Sequence, residues 1–207
     1  MMRYYIADLH FYHENIISID GRPFSDALEM NDYMIEKWNS RVRDNDEVYI
    51  LGDLSLGTGE ETNAILQRLN GKKYLIVGNH DSYISDKDFN KDSFVWIKKY
   101  AEIRDENRRL ILCHYPIFCY NGQHYRNDNG ESLTFMLYGH VHNSPDAHLI
   151  RRFICETKAE HRIDRNGNDY EVPCNMINCF CMNSGYIPLT LDEWVDIERK
   201  QIHKDER

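Results

Sequence analysis

Five short apolar runs in this chain each end in a side chain that can bind a metal or move a proton. Arg3-Tyr4-Tyr5-Ile6-Ala7 hands over to Asp8-Leu9-His10, and Val48-Tyr49-Ile50-Leu51 to Gly52-Asp53. Tyr74-Leu75-Ile76-Val77 leads to Gly78-Asn79-His80-Asp81, Leu110-Ile111-Leu112-Cys113 to His114, and Phe135-Met136-Leu137-Tyr138 to Gly139-His140-Val141-His142. An apolar run of that length bounded by a glycine or a polar residue predicts a buried strand. Ligand sites of open α/β sheets collect at the carboxyl ends of such strands. Oxygen and imidazole donors arriving together suit divalent transition metals, and Asp53 is the candidate to bridge two of them.

The pattern between these runs predicts the rest of the architecture. Asp26 with Glu29 reads as a helix start, and Met34, Ile35, Trp38 and Val42 keep a helical spacing, which predicts a helix over about 27–42. A second helix carries Thr62, Ile65, Leu66 and Leu69 and stops at Asn70-Gly71. Strand, helix, strand, helix, strand at this spacing predicts βαβ units. Residues 119–131, with Asn121-Gly122 and Asn129-Gly130, read as a long loop. Residues 143–175 read as a polar excursion with a hairpin turn at Asn166-Gly167. Another strand is expected over 176–180, and Thr190 with Glu193 opens a C-terminal helix of about 191–203.

A length of 207 residues is most simply one domain, 1–207. The net charge of −9 argues against nucleic acid held on a basic surface. It leaves open a phosphate held at a metal centre, where the ions supply the local positive charge. No apolar run approaches the roughly 18 residues of a membrane span. Met1-Met2-Arg3 leads straight into the first strand, so the expectation is no signal peptide, a cytoplasmic location and six reduced cysteines. Cys174, Cys179 and Cys181 could form a zinc cluster, but they contain no C-x-x-C pair and read better as small buried apolar groups.

The order D-x-H, G-D, G-N-H-D, H, G-H-x-H over residues 8–142 resembles the calcineurin-like metallophosphoesterase superfamily. The stretch Asp8-Leu9-His10-Phe11-Tyr12-His13-Glu14-Asn15-Ile16-Ile17 resembles a small bacterial and phage-type branch of it. The resemblance implies an α/β fold, a sandwich of two mixed β-sheets flanked by α-helices. It implies two divalent ions, manganese first, with iron, zinc, cobalt or nickel as alternatives. The first ion would be held by Asp8, His10, Asp53 and His142, the second by Asp53, Asn79, His114 and His140. Two such ions, roughly 3.5–4 Å apart, clamp a phosphate and lower the pKa of a bound water to about 7. The implied activity is hydrolysis of a phosphate mono- or diester in a phosphorylated small molecule or nucleotide.

By the same resemblance His80 is the catalytic acid or transition-state stabiliser. The protein Ser/Thr phosphatase branch pairs the matching histidine with an Asp shortly after G-D. Gly52-Asp53-Leu54-Ser55-Leu56-Gly57 has none, which leaves the partner of His80 open and argues against protein-phosphatase activity; Asp81, next to His80, is a candidate to orient it. His13 and Arg22 are further candidates for substrate binding, Arg22 as a bidentate fork on phosphate. His124, His148, His161 and His203 follow no apolar run and are expected on the surface, and Asn178 fits no motif. Two other readings suit the same fold: a non-catalytic interaction scaffold, and a metal-dependent nuclease. The first is disfavoured by the full set of histidines, the second by the acidic charge.

Overall fold

A strand that is apolar along its whole length must be covered on both faces, and that requirement generates the layers of this molecule. The computed structural model describes residues 1–164 and 166–205, and the side chains of 203–205, His203 included, lie outside it. Strands β1 (Arg3–Ile6), β2 (Glu47–Ile50), β3 (Lys72–Ile76) and β4 (Trp96–Lys98) pair in that order, all parallel. Helices α1 (Glu14–Asp20), α2 (Ala27–Arg41) and α3 (Gly59–Arg68) form the first two crossovers. The predicted helix over 27–42 is thus α2, capped by Asp26, whose side chain accepts from Glu29 N.

The chain then runs through β5 (Tyr100–Asp105), β6 (Arg108–Cys113), β7 (Thr134–Tyr138), α4 (Pro145–Ala159), the hairpin β8 (His161–Ile163) and β9 (Asp169–Glu171), β10 (Met176–Asn178) and α5 (Leu191–Asp205). The second sheet has the order β10-β7-β6-β5, and its antiparallel pairing is confined to β5 with β6. The mixed character expected of both sheets therefore belongs to the second, because the first contains only crossover connections.

The period of two along each strand assigns the faces. Tyr4, Ile6, Val48 and Ile50 pack with Met34, Trp38 and Ile65 of α2 and α3. Their neighbours Tyr5, Ala7, Tyr49 and Leu51 turn the other way and meet Leu110, Leu112, Leu137 and Ile177 of the second sheet. Ile111, Met136 and Met176 face outward against Ala147, Ile150 and Ile154 of α4. Along one edge the sheets are stitched together: Ala7 N donates to Cys179 O at 2.8 Å, and Cys181 N donates to Ala7 O at 3.0 Å. The carboxyl ends of the parallel strands in both sheets therefore emerge along one rim.

Helix α4 corrects the expectation of a polar excursion over 143–175. Ser144 caps it, Pro145 starts it, and its buried stripe belongs to the third core. Only the hairpin at Asn166-Gly167 fits the earlier picture: β8 is exposed throughout, and β9 at both ends. We expect Ile154→Ala to cost about 2–5 kcal/mol in urea unfolding. Ile163→Ala, at a position 67% exposed, should stay within about 0.5 kcal/mol. Equal losses at both positions would mean that α4 is not part of the core.

Candidate metal centre

Each turn at the rim is shaped by what must fit beneath it. Gly52 has φ +92°, and a Cβ there would lie 2.3 Å from His114 Nδ1. A Cβ on Gly78 would lie 2.2 Å from Asp53 Oδ1. Close approach therefore demands glycine before Asp53 and before Asn79, and at Gly52 the left-handed backbone demands it as well. The residues that follow are strained. Asp8, His10, Asp53, His140 and His142 all have positive φ, at 57°, 56°, 53°, 72° and 47°. Non-glycine residues in this region cost about 1–3 kcal/mol each and cluster at functional sites.

Two groups of side chains result. Asp8, His10 and His142 each place one ligand atom within 4.8 Å of the others, and Asp53, His114 and His140 do the same. Asp53 Oδ2 lies 3.6 Å from His10 Nε2 and 3.5 Å from His114 Nε2, so it faces both groups. Asn79 Oδ1 lies 3.0 Å from His114 Nε2 and joins the second. These are the seven residues expected as ligands. Cys174, Cys179 and Cys181 belong to neither group and are free and buried.

The imidazoles fit ions because their other nitrogens are already engaged. His114 Nδ1 bonds Leu51 O at 2.8 Å, His142 Nδ1 bonds Asp20 Oδ1 at 2.7 Å, and His10 Nδ1 bonds His13 Nδ1 at 3.1 Å. That leaves Nε2 of each ring facing the centre, and His10 Nε2 and His142 Nε2 converge to 3.2 Å. Metal-bound histidines are held this way, by a partner on the far nitrogen.

Burial pushes the Asp8 carboxyl up to about 6 and the His10 imidazole down to about 2. Burial alone would raise Asp53 too, but contact with His114 and the His80 N–H holds it near 2. His114 has the opposite balance: burial lowers it, and Asp53 and Asp8 lift it to about 9. The two carboxylates thus favour the protonated form of His114.

His80 belongs to neither group. Its N–H donates to Asp53 Oδ1 at 2.8 Å, and its exposed ring lies 5.4 Å from the His10 ring and 5.9 Å from the His13 ring, centroid to centroid. His13 and His80 both line a cavity of about 550 Å³ above the centre, together with His10, Asp53, Asn79, His140 and His142. His124, His148 and His161 are on the surface, as expected.

Two expected roles are corrected. Asp81 does not orient His80: its buried carboxylate accepts from the N–H groups of Gly78 (2.7 Å), Leu54 (2.8 Å) and Asp53 (3.0 Å), tying two ligand loops together. Arg22 does not face substrate. Its fully buried guanidinium donates to Leu9 O (2.7 Å), Asp8 O (3.0 Å) and Asp20 Oδ2 (2.9 and 3.0 Å).

Two residues were missed. Asp20 orients His142, and Asn178 Nδ2 donates to His142 O at 2.8 Å. An Asp-Gly-Arg turn just before Pro23 was a usable signal for Asp20; the sequence carries none for Asn178.

A family model described as calcineurin-like phosphoesterase matches residues 3–140. An uncharacterized protein of Methanocaldococcus jannaschii is 49% identical over 144 residues, which cover 67% of this chain and 68% of the relative. The Gene 66 protein of Mycobacterium phage L5 is 28% identical over 180 residues, covering 73% of this chain and 83% of that protein. The crystal structure of a protein of unknown function from Aquifex aeolicus shares the fold, with a TM-score of 0.61 at 24% identity over 93% of this chain and 96% of the other.

Asp20→Ala should weaken binding at the group that includes His142 by roughly 10–100-fold, read by chelator competition with circular dichroism as a check on folding. Unchanged affinity would remove Asp20 from the centre. Metal uptake should also release protons and weaken as pH falls below the His114 value of about 9. The slope should be about tenfold per pH unit for each proton displaced. Uptake without proton release in calorimetry would contradict the charge state described for His114.

Proposed function

The chain belongs to the calcineurin-like phosphoesterase family, and from that membership we propose that it hydrolyses a phosphate mono- or diester of a small molecule at a dinuclear metal centre. The observation that carries the reading is Asp53, whose Oδ2 faces a histidine of each group at 3.6 and 3.5 Å. Asp8, His10, Asp53 and His142 are assigned to one ion, and Asp53, Asn79, His114 and His140 to the other. When bound, divalent ions there would activate a water and neutralise the phosphoryl oxygens. Manganese is the first ion to test; the mixed oxygen and nitrogen donors also suit iron, zinc, cobalt and nickel.

The chain's own residues supply the rest. His80 stands in the cavity beside the bridging carboxylate, placed to give a proton to the leaving oxygen. Its backbone N–H on Asp53 Oδ1 keeps the other carboxylate oxygen turned toward the two groups. Residues 1–207 are taken to work as one domain. No helix among the described residues is long and apolar enough to cross a membrane. We place the reaction in the cytoplasm, where the six cysteines of the chain would stay reduced.

The test combines metal content with turnover. The reconstituted protein should bind two ions and hydrolyse nitrophenyl esters, and Asp53→Asn should abolish both. His80→Asn should retain both ions while losing roughly 10²–10⁴-fold on esters with poor leaving groups, and much less on nitrophenyl esters. Full turnover by Asp53→Asn would overturn the dinuclear reading. Two bound ions without turnover of any ester would favour an interaction scaffold.

A further inference from the structure

The cavity above the metal centre has two unlike sides. One is the histidine and asparagine side already described. The other lies between α1 and the start of α4 and is lined by Ile19, Val141, Asn143, Ser144 and Asp146. Ile19 is 69% exposed, an apolar side chain left in solvent at the mouth of the cavity. Among the described residues no lysine or arginine lines either side. Arg22 stands nearby, but its donors are directed to Asp20, Leu9 O and Asp8 O, away from the cavity. The backbone N–H groups that open α4 are the remaining place for a second anion, and the chain has filled that place itself. Ser144 Oγ accepts from Asp146 N at 3.2 Å, and the Asp146 carboxylate sits in the same first turn. A carboxylate there offsets the positive end of the helix and repels another anion.

We infer that the substrate carries a single phosphoryl group and no second anionic group, on an uncharged and partly apolar body that lies against Ile19 and Val141. This rests on the phosphoesterase reading and narrows it. The ions of the centre would be the one strong attraction for anions, and one phosphoryl group occupies it. A second phosphate, as in a nucleoside diphosphate or an oligonucleotide, would reach the rim at Asp146 with no cation to meet it. In the reaction water adds to phosphorus, the bond to the leaving oxygen breaks, and that oxygen departs as an alcohol with a proton from His80. The proton that the water loses goes to solvent, and solvent returns one to His80, so the imidazole is restored and the protons balance.

The test uses two substrates with the same leaving group. One is the nitrophenyl ester of thymidine monophosphate; the other is the same ester with a further phosphate on the free sugar hydroxyl. On the metal-reconstituted protein the extra phosphate should lower kcat/KM by roughly tenfold or more. Asp146→Lys should narrow that ratio, and Ile19→Asp should raise KM for the first ester more than it lowers kcat. Equal kcat/KM for the two esters, or a ratio unmoved by Asp146→Lys, would overturn the inference while leaving the phosphoesterase reading intact. If neither ester nor nitrophenyl phosphate turns over with both ions bound, the phosphoesterase reading fails. Calorimetry with thymidine 5′-monophosphate against thymidine 3′,5′-bisphosphate then decides the inference separately, and tighter binding of the second overturns it.

Discussion

The carboxylate of Asp53 is held from three directions, and the rest of the centre is arranged around it. Its Oδ1 accepts from His80 N, its Oδ2 faces His10 and His114, and its own N–H is tied to Asp81. Room for it exists because Gly78 has no side chain. Each restraint has a reason in sequence: a glycine before the acid, a glycine before Asn79, and an acid after His80. A buried carboxylate without such partners would be strongly destabilising. Here its partners follow β1, β3 and β6, and the acid itself follows β2, so the ends of four strands meet at one group.

A second, smaller lock holds the first ligand group. Arg22 and Asp20 sit at the end of α1 as a buried pair, and the guanidinium also binds the carbonyls of Asp8 and Leu9. Asp20 reaches His142 across 122 positions of sequence. The turn at residues 20–22 thus fixes the backbone of one ligand, Asp8, and the ring of another, His142. Phe180, stacked on the His142 ring with centroids 4.7 Å apart, closes its other face.

The strands, and the grouping of the candidate ligands, were legible because both are local signals. An unbroken apolar run ending in an acid or a histidine states its burial and its direction at once. What stayed hidden depends on distance or on orientation. The turn at Asp20-Gly21-Arg22 shows in the sequence, but nothing local ties Asp20 to His142, 122 positions away. Arg22 looks like a phosphate fork until its surroundings show four hydrogen bonds to three oxygens of the chain itself. Asp81 follows His80 in sequence, but its side chain turns back to the backbone of Asp53, Leu54 and Gly78. Helix α4 was masked by its polar neighbours: Arg151 lies among its buried positions, which breaks the apolar stripe that Ala147, Ile150 and Ile154 otherwise form.

Charge explains why the Arg22–Asp20 pair is buried rather than left on the surface. Among the seven residues grouped at the centre, only Asp8 and Asp53 carry carboxylates. Two divalent ions there would keep an excess of positive charge, which a phosphoryl group needs. Orienting His142 calls for a third carboxylate, Asp20, close to the same ions. Unpaired, it would cancel part of that excess and would itself be costly to bury. Arg22 offsets it from the side away from the cavity, and there its charge cannot attract a second anion into the site. Position, more than residue type, thus lets one arginine serve the centre without widening what the cavity accepts.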